Sequence, residues 1–195
     1  MIGRLSGLLL LKQPPQLLLD VNGVGYEVEA PLSTFFRLPA AGQAVTLHTH
    51  LVVREDAQLL FGFATVAEKA LFRQLIKVSG VGPKVALAVL SGISVEDFWG
   101  AVRSGETGRL VKLPGIGKKT AERLLVEMRD KADGGTADFP SAPSAVPASP
   151  LAEARAALAA LGYKPAEVQR LTETMKADGM STEAIIQEAL KRALR

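Results

Sequence analysis

The 195-residue sequence predicts a multidomain α+β protein, with a small N-terminal β-barrel, a central helical domain and a small C-terminal three-helix bundle on a flexible linker. Three observations lead to this prediction. Hydrophobic residues alternate with period two up to about residue 64, and from residue 65 they follow helical spacing. A stretch rich in proline and alanine then interrupts the pattern between residues 133 and 150. The predicted domains are therefore 1–64, 65–132 and 151–195, with a linker over 133–150.

The first 64 residues read as short strands joined by turns. Apolar residues alternate over 17–21, Asn22-Gly23 favours a tight hairpin, and the alternation resumes over 24–28. A second pair of strands is predicted over 44–53 and 59–63. About five short strands with this punctuation fit an OB-like barrel.

Helix start signals appear from residue 65 onward. Thr65 is followed three positions later by Glu68, which is the signature of a capping box, and Ser94 with Asp97 repeats the signal. Trp99 lies among other apolar residues of the second helical segment and is expected in the core. Three short amphipathic helices are predicted after the linker, over Leu151 to Gly162, Lys164 to Met175 and Thr182 to Leu194.

The positive charge is concentrated in the central domain. The formal net charge is only +3, but residues 65–132 carry 12 lysines and arginines against seven acidic residues. The segment 133–150 has no basic residue, and its prolines and small side chains predict a semi-extended tether, with an ordered surface loop as the alternative. The placement of charge therefore points to the central domain as the surface that meets an anionic partner.

Several classes of function lack support in the sequence. The chain has no cysteine, which excludes disulfides and thiolate chemistry, and no Ser/His/Asp set stands out. His48 and His50 share a strand face without a third ligand nearby, so a strand-surface or packing role is expected in place of a metal site. The apolar run Leu8 to Leu11 is too short to span a membrane. We expect a cytoplasmic, non-catalytic protein without cofactor or metal.

An internal repeat is the most informative feature. Residues 77–86 align without gaps onto residues 112–121, at an offset of 35. Each copy ends one helix, turns through Gly-x-Gly and begins another helix. The glycines permit positive φ, while the central Val81 or Ile116 is expected to plug the turn into the core. A plain helix connector is the alternative for a single copy, but two copies in register favour a shared function.

The repeat predicts two phosphate sites. Each loop precedes a helix N-terminus, where unpaired N–H groups attract an anion, and Lys84, Lys118 and Lys119 add full charges. Contacts of this kind touch the nucleic acid backbone, so they give affinity without sequence specificity and weaken as salt rises. The two loops are therefore expected to grip a DNA duplex across its minor groove.

The sequence resembles the RuvA family of bacterial Holliday-junction-binding proteins. The resemblance rests on Ser-Gly-Val-Gly-Pro-Lys at 79–84 and Leu-Pro-Gly-Ile-Gly-Lys-Lys-Thr-Ala-Glu-Arg at 113–123, which look like the family's paired helix-hairpin-helix motifs. Segments 1–5, 23–28 and 52–60 are also similar to the family. The predicted DNA-contacting residues are Ser79, Gly80, Val81, Gly82, Lys84, Pro114, Gly115, Ile116, Gly117, Lys118, Lys119, Thr120 and Arg123.

The resemblance implies a function and a set of partners. It implies a non-catalytic subunit that binds four-way junctions as a homotetramer, or as two tetramers, and recruits the hexameric ATPase RuvB for branch migration in DNA recombination and repair. The nuclease RuvC would resolve the junction in the full complex. A metal-dependent nuclease using Glu55 and Asp56, or a scaffold whose hairpins bind proteins, are the alternatives.

Two further sets of residues take a role from the resemblance. Glu55 and Asp56 match an acidic pair that forms a pin at the centre of the DNA-binding face, although by sequence alone they are solvated turn residues. Segment 157–165 resembles the family's third domain, which implies that Leu158, Leu161 and Tyr163 contact the motor. Helical periodicity alone places the same three residues in the core of the bundle.

Overall fold

The computed structural model describes residues 1–133, 149–173 and 180–193. The chain divides into two compact units, of which the first contains the barrel and the central helices and the second contains the C-terminal helices. The predicted linker over 133–150 lies outside the described residues apart from its ends.

The N-terminal strands form a closed barrel in the order β1-β2-β3-β5-β4, which agrees with the predicted OB-like barrel. Neighbouring strands are antiparallel except β3 and β5, which are parallel. A four-residue helix, α1 (Leu32–Phe35), follows β3. The strands are β1 (Arg4–Gln13), β2 (Gln16–Val21), β3 (Val24–Glu29), β4 (Ala44–Val53) and β5 (Gln58–Phe63).

The predicted hairpin at Asn22-Gly23 is confirmed. Both residues have positive φ, 52° and 87°, which is the backbone that this dipeptide favours, and the Gly23 amide donates to the Asp20 carboxylate at 2.7 Å. The barrel core combines inward-facing strand residues with Ala30, Phe35 and Leu38 from the segment between β3 and β4. Its strand residues are Leu5, Leu9, Leu17, Leu19, Val28, Leu47 and Leu60.

Strand β1 pairs with both β2 and β4 and closes the barrel. Its apolar run does not alternate, because the register shifts between Leu9 and Leu11, so that Leu9 is buried while Leu10 and Leu11 are exposed. A side chain at Gly7 would collide with the carbonyl oxygen of Asp20, so only glycine allows β1 to approach β2 this closely. The sequence pattern therefore gave no period-two signal for this strand.

The helices of the first unit begin where the capping signals predict. Thr65 and Glu68 form a reciprocal capping box, and the Ser94 hydroxyl accepts from the Asp97 amide at 3.0 Å. Trp99 is half-buried and packs edge-on against Phe98. The helices are α2 (Val66–Leu75), α3 (Pro83–Gly92), α4 (Val95–Ser104), α5 (Thr107–Val111) and α6 (Lys118–Asp133).

The barrel and the central helices share a hydrophobic core. Phe61 and Phe63 of β5 each lie 4.9 Å from the ring of Phe72 on α2, measured between ring centroids. All three phenylalanines are at most 1% exposed. Strand β5 therefore fixes the helices to the barrel, which is why both belong to one compact unit.

The second unit contains α7 (Pro150–Ala160), α8 (Pro165–Glu173) and α9 (Thr182–Ala193). The three predicted helices are thus present, and Ser149 caps the first of them by accepting from the Ala152 amide at 3.3 Å. Their buried core consists of Leu158, Val168, Leu171 and Ala189.

Within the part of the chain that the structure describes, each helix taken alone is too short or too polar to cross a membrane. The pair α3 and α4 meets the length and composition requirement together, but the two helices are bent by 96°.

Candidate nucleic-acid interface

The two Gly-x-Gly hairpins have the same backbone geometry. Gly80 has φ of +88° and its equivalent Gly115 has φ of +78°, values that glycine adopts without steric cost. Gly82, which precedes α3, is extended with φ of −82°. The internal repeat seen in the sequence is therefore a structural repeat.

The hydrogen bonds of the hairpins also repeat at the 35-residue offset. Val81 N donates to Val78 O at 3.0 Å, and Ile116 N donates to Leu113 O at 3.1 Å. The first bond of the following helix is likewise shared, with Gly82 O and Gly117 O accepting from the alanine amides four residues later, at 3.0 and 2.9 Å. Both turns are thus closed by the same local bonds.

Val81 and Ile116 plug the hairpins into the core, as predicted. Each is 4% exposed and belongs to the core cluster of the first unit. Because their side chains are buried and their amides are used within the turn, these two residues hold the loop in shape and present little to a ligand. The predicted contacts to a phosphate therefore depend on their neighbours.

Those neighbours are accessible. The side chains of Lys84, Lys118 and Lys119 are exposed at the first turns of α3 and α6, where the leading amides have no acceptor within the helix. Pro83 lacks an amide hydrogen while Lys118, its equivalent, has one, so the second hairpin offers one donor more. The other exposed predicted residues are Ser79, Gly80, Gly82, Pro114, Gly115, Gly117 and Arg123, whereas Thr120 is half-buried.

The two hairpins are joined by contacts that the sequence did not indicate. A Cβ atom on Gly115 would lie 3.4 Å from Cγ2 of Val85, so the second hairpin packs against the helix of the first. Arg123 Nη1 on α6 donates to Ser79 O of the first hairpin at 3.1 Å. Since these residues are 44 positions apart, no local signal could have revealed the bond.

The acidic turn, residues 54–57, projects from the same unit. The turn is closed by a bond from Arg54 N to Ala57 O of 2.8 Å, and the side chains of Glu55 and Asp56 are exposed. At its base Val52 pairs with Leu59, and both pack against the core cluster of the helices. The two carboxylates therefore stand on a hairpin anchored to the domain that carries the Gly-x-Gly loops.

Of the two histidines of β4, His50 packs against a core residue of the helices. The ring of His50 lies edge-on to Phe72, 5.9 Å between centroids. Burial lowers the pKa of both His48 and His50, and the positive charge of Lys69 lowers each further. Both imidazoles are therefore disfavoured as cations. Residues 1–133, 149–173 and 180–193 contain no cluster of three or more His, Asp or Glu side chains that could hold a metal ion.

The three residues that the family resemblance linked to a motor differ in their exposure within the second unit. Leu158 is 0% exposed and lies in the core of the bundle, and Tyr163 is half-buried against that core. Leu161 is 64% exposed just after α7. Of the three, only Leu161 presents most of its side chain to the surface of this unit.

The paired hairpins define the chain as a tandem helix-hairpin-helix protein. Residues 72–130 match the family model of the SAM-like helix-hairpin-helix tandem. Residues 1–62 match the model of the RuvA N-terminal domain, and residues 149–194 match that of the RuvA C-terminal domain.

Full-length relatives agree with the domain models. The chain is 54% identical to the Holliday junction branch migration complex subunit RuvA of Sodalis glossinidius (strain morsitans) and 55% identical to that of Thioalkalivibrio sulfidiphilus (strain HL-EbGR7), with all of each chain covered. It is 53% identical to the subunit of Pseudomonas aeruginosa (strain LESB58), with 98% of both chains covered. The chain belongs to the RuvA family.

Proposed function

We propose that this chain is the non-catalytic, junction-binding subunit of a branch migration complex. It binds four-way DNA junctions without sequence specificity, holds them open and recruits a RuvB-type ATPase during recombination and DNA repair. The observation that carries the proposal is the pair of matched hairpins, in a chain that aligns from end to end with junction subunits.

The hairpins supply the affinity. Each combines free helix-terminal amides with exposed lysines, which suits a phosphate oxygen and does not read base edges. The contact between Gly115 and Val85 keeps the two loops adjacent, so they can hold neighbouring phosphates of one duplex arm. Affinity without sequence preference is what a protein needs if the junction moves along the DNA beneath it.

The acidic turn supplies discrimination. Glu55 and Asp56 are exposed carboxylates that repel phosphates, so they disfavour a duplex running continuously across them. A four-way junction avoids this repulsion because its strands diverge into the arms at the crossover. Attraction at the hairpins and repulsion at the acidic turn together favour the branched substrate.

Assembly completes the site. A single chain has hairpins for one arm, whereas a homotetramer would present four pairs of hairpins and eight carboxylates around a fourfold axis. We infer that one or two such tetramers bind the junction, that the C-terminal helices meet the motor through Leu161, and that RuvC acts on the same complex. Since the substrate is chromosomal DNA, we place the protein in the cytoplasm.

A gel-shift titration tests the proposal. The full chain is titrated against a synthetic four-way junction and a linear duplex of matched sequence, at several salt concentrations and without any motor protein. We expect a strong preference for the junction, weaker binding as salt rises, and intact DNA when Mg²⁺ is added.

The same titration separates the alternatives. Equal affinity for the two substrates would reduce the function to general duplex binding. Junction cleavage by the chain with Mg²⁺ alone would favour a nuclease, and the absence of salt-dependent binding would favour a protein scaffold.

A further inference from the structure

A hydrogen-bonded cluster with a buried centre joins the barrel to the helices that flank the first hairpin. It consists of Leu32, Ser33 and Thr34 of α1, Glu68 of α2 and Ser91 of α3, and we call it the α1 clamp. Its centre is Glu68, which is 6% exposed, and beside it Thr34 is 0% exposed. A buried carboxylate is costly unless its oxygens are hydrogen-bonded, so these contacts are tightly constrained.

Glu68 accepts hydrogen bonds from two separate parts of the chain. From its own helix start it accepts Thr65 N at 3.1 Å and Thr65 Oγ1 at 3.3 Å. From α1 it accepts Ser33 Oγ at 2.6 Å and Thr34 Oγ1 at 3.4 Å. The Thr34 hydroxyl in turn accepts the Ala64 amide at 3.0 Å, immediately after β5.

The other end of α1 is bonded to α3. Leu32 N donates to Ser91 Oγ at 2.9 Å, and Ser91 Oγ donates to Leu87 O at 2.6 Å. Helix α2 ends at the first hairpin and α3 begins there, so α1 is attached to both helices that carry this loop. One short barrel helix therefore holds the start of α2 and the end of α3, and it acts on the first hairpin through these two helices.

The second capping signal of the chain shows that this arrangement exceeds what a helix start requires. Ser94 and Asp97 carry the same sequence signal and form the local cap, yet the Asp97 side chain is 56% exposed. The Asp97 side chain contacts Ser94 at the start of α4 and Arg109, twelve residues away. Glu68 caps its helix in the same way and additionally receives donors 34 and 35 residues away in sequence.

The position of the clamp gives it a consequence for binding. Strand β5 leads from the acidic turn to Ala64, and α2 leads from Thr65 to the first hairpin. The clamp lies where these two elements meet. We propose that the α1 clamp determines the specificity for junctions, with Glu68 as a positioning residue that holds the first hairpin in a fixed relation to the acidic turn.

The inference rests on the proposed function and adds a residue-level cause to it. Duplex binding requires only the hairpins, whereas discrimination requires hairpins and carboxylates at a fixed separation. Loosening the clamp therefore weakens the fit to the junction and relaxes the repulsion of duplex, so the ratio of junction affinity to duplex affinity falls.

Glu68→Gln and Ser91→Ala test the clamp, with Ser94→Ala as the matched control. All three remove hydrogen bonds at or near a helix terminus, but the hydroxyl of Ser94 bonds to Asp97 within the start of its own helix. Each full-length variant is titrated with junction and with duplex at a temperature where it is fully folded. We expect the junction-to-duplex affinity ratio to fall at least threefold in the first two variants and to change less than 1.5-fold in the control.

A distance measurement provides a readout that does not depend on DNA. The chain has no cysteine, so cysteines introduced at Gln58 and Ser79 can carry paired spin labels without background. Labelled chains are diluted with unlabelled ones so that distances within one chain dominate. We expect the distance distribution to broaden in Glu68→Gln and Ser91→Ala and to keep its wild-type width in Ser94→Ala.

The affinity ratio and the distance distribution together decide whether the inference holds. An unchanged affinity ratio and an unchanged distance distribution in both clamp variants overturn the inference, even if their thermal stability falls. If Glu68→Gln does not fold, Ser91→Ala decides alone. If the wild type shows no junction preference, the proposed function fails, and the distance distribution alone then decides whether the clamp positions the hairpin.

Discussion

Gly80 and Gly82 lie two residues apart in one hairpin, yet the backbone makes different demands on them. Gly80 has φ of +88°, whereas Gly82 is extended, and a Cβ atom at either position would meet nothing within 4 Å. The first glycine is therefore required by backbone conformation. The second is tolerant in the free protein, so its lack of a side chain matters only when another molecule approaches.

Alanine substitutions at these two positions separate folding from binding. Gly80→Ala should lower the free energy of unfolding by about 1–2 kcal/mol, because a left-handed conformation strains a residue with Cβ. Gly82→Ala should leave stability within about 0.5 kcal/mol of wild type, as expected for an open surface position, and weaken DNA binding. Denaturant melts and gel shifts on both variants check this, and a loss of stability in Gly82→Ala equal to that in Gly80→Ala would contradict it.

The lysines of the second hairpin are expected to attract DNA phosphates through their positive charge. Lys118→Gln, and separately Lys119→Gln, should weaken junction and duplex binding alike and reduce the slope of log affinity against log salt by about 0.9 per lost phosphate contact. Binding isotherms at four or more salt concentrations give the slope. Lys164→Gln in the second unit removes the same charge elsewhere and should leave the slope unchanged. A wild-type slope in both hairpin variants would remove these lysines from the interface.

Among the elements, the β4–β5 hairpin has a short acidic turn whose base is anchored to the core of the helices. The Val52–Leu59 pair packs on the helical core, so the carboxylates of Glu55 and Asp56 are held on a fixed support and do not drift with a loose loop. Fixed repulsion can discriminate between DNA shapes, whereas mobile charges would only lower affinity.

Neutralising the acidic turn should therefore raise the affinity for linear duplex. We expect Glu55→Gln combined with Asp56→Asn to raise duplex affinity about fivefold, since a charge contact at 4 Å in water is worth about 1 kcal/mol. The junction should gain less, and the rate of motor-driven branch migration should change. Glu27→Gln removes an exposed carboxylate from β3 of the same barrel and is the control. Unchanged duplex affinity in the double variant would count against the pin.

At the scale of the whole molecule, the predicted DNA contacts and the predicted motor contacts lie in different compact units. The first unit contains every predicted DNA contact together with the acidic turn, and the second contains the residues predicted to meet the motor. Burial within the second unit distinguishes its leucines, because Leu158 supports the bundle while Leu161 faces outward. We therefore expect a variant of the second unit to alter motor coupling without changing the predicted DNA contacts.

Leu161→Ala and Leu158→Ala should fail in different ways. Leu161→Ala should leave thermal unfolding and junction affinity unchanged and reduce the stimulation of a RuvB-type ATPase on junction DNA. Leu158→Ala removes a fully buried side chain and should destabilise the second unit by about 2–5 kcal/mol. Unfolding curves with ATPase assays on both variants provide the comparison. Full stimulation by Leu161→Ala would show that the motor docks elsewhere.

The sequence by itself determined the features that depend on neighbouring residues. The Asn22-Gly23 turn, the helix starts at Thr65 and Ser94, and the Gly-x-Gly repeat were all predicted, and the structure confirms their geometry. The reason is that turns, caps and helical periodicity are set by residues within about four positions of one another. The prediction that the two Gly-x-Gly loops bind phosphate rests on the same local patterns.

Tertiary structure alone decided the features that join distant residues. The closure of the barrel by β1, the bond from Arg123 to Ser79, the exposure of Leu161 and the contacts of Glu68 with α1 left no local pattern in the sequence. Glu68 and Asp97 carry the same capping signal. Packing against other elements buries Glu68, whereas Asp97 stays on the surface. Such differences depend on which surfaces meet when the chain folds, and that is fixed by long-range packing and not by spacing along the sequence.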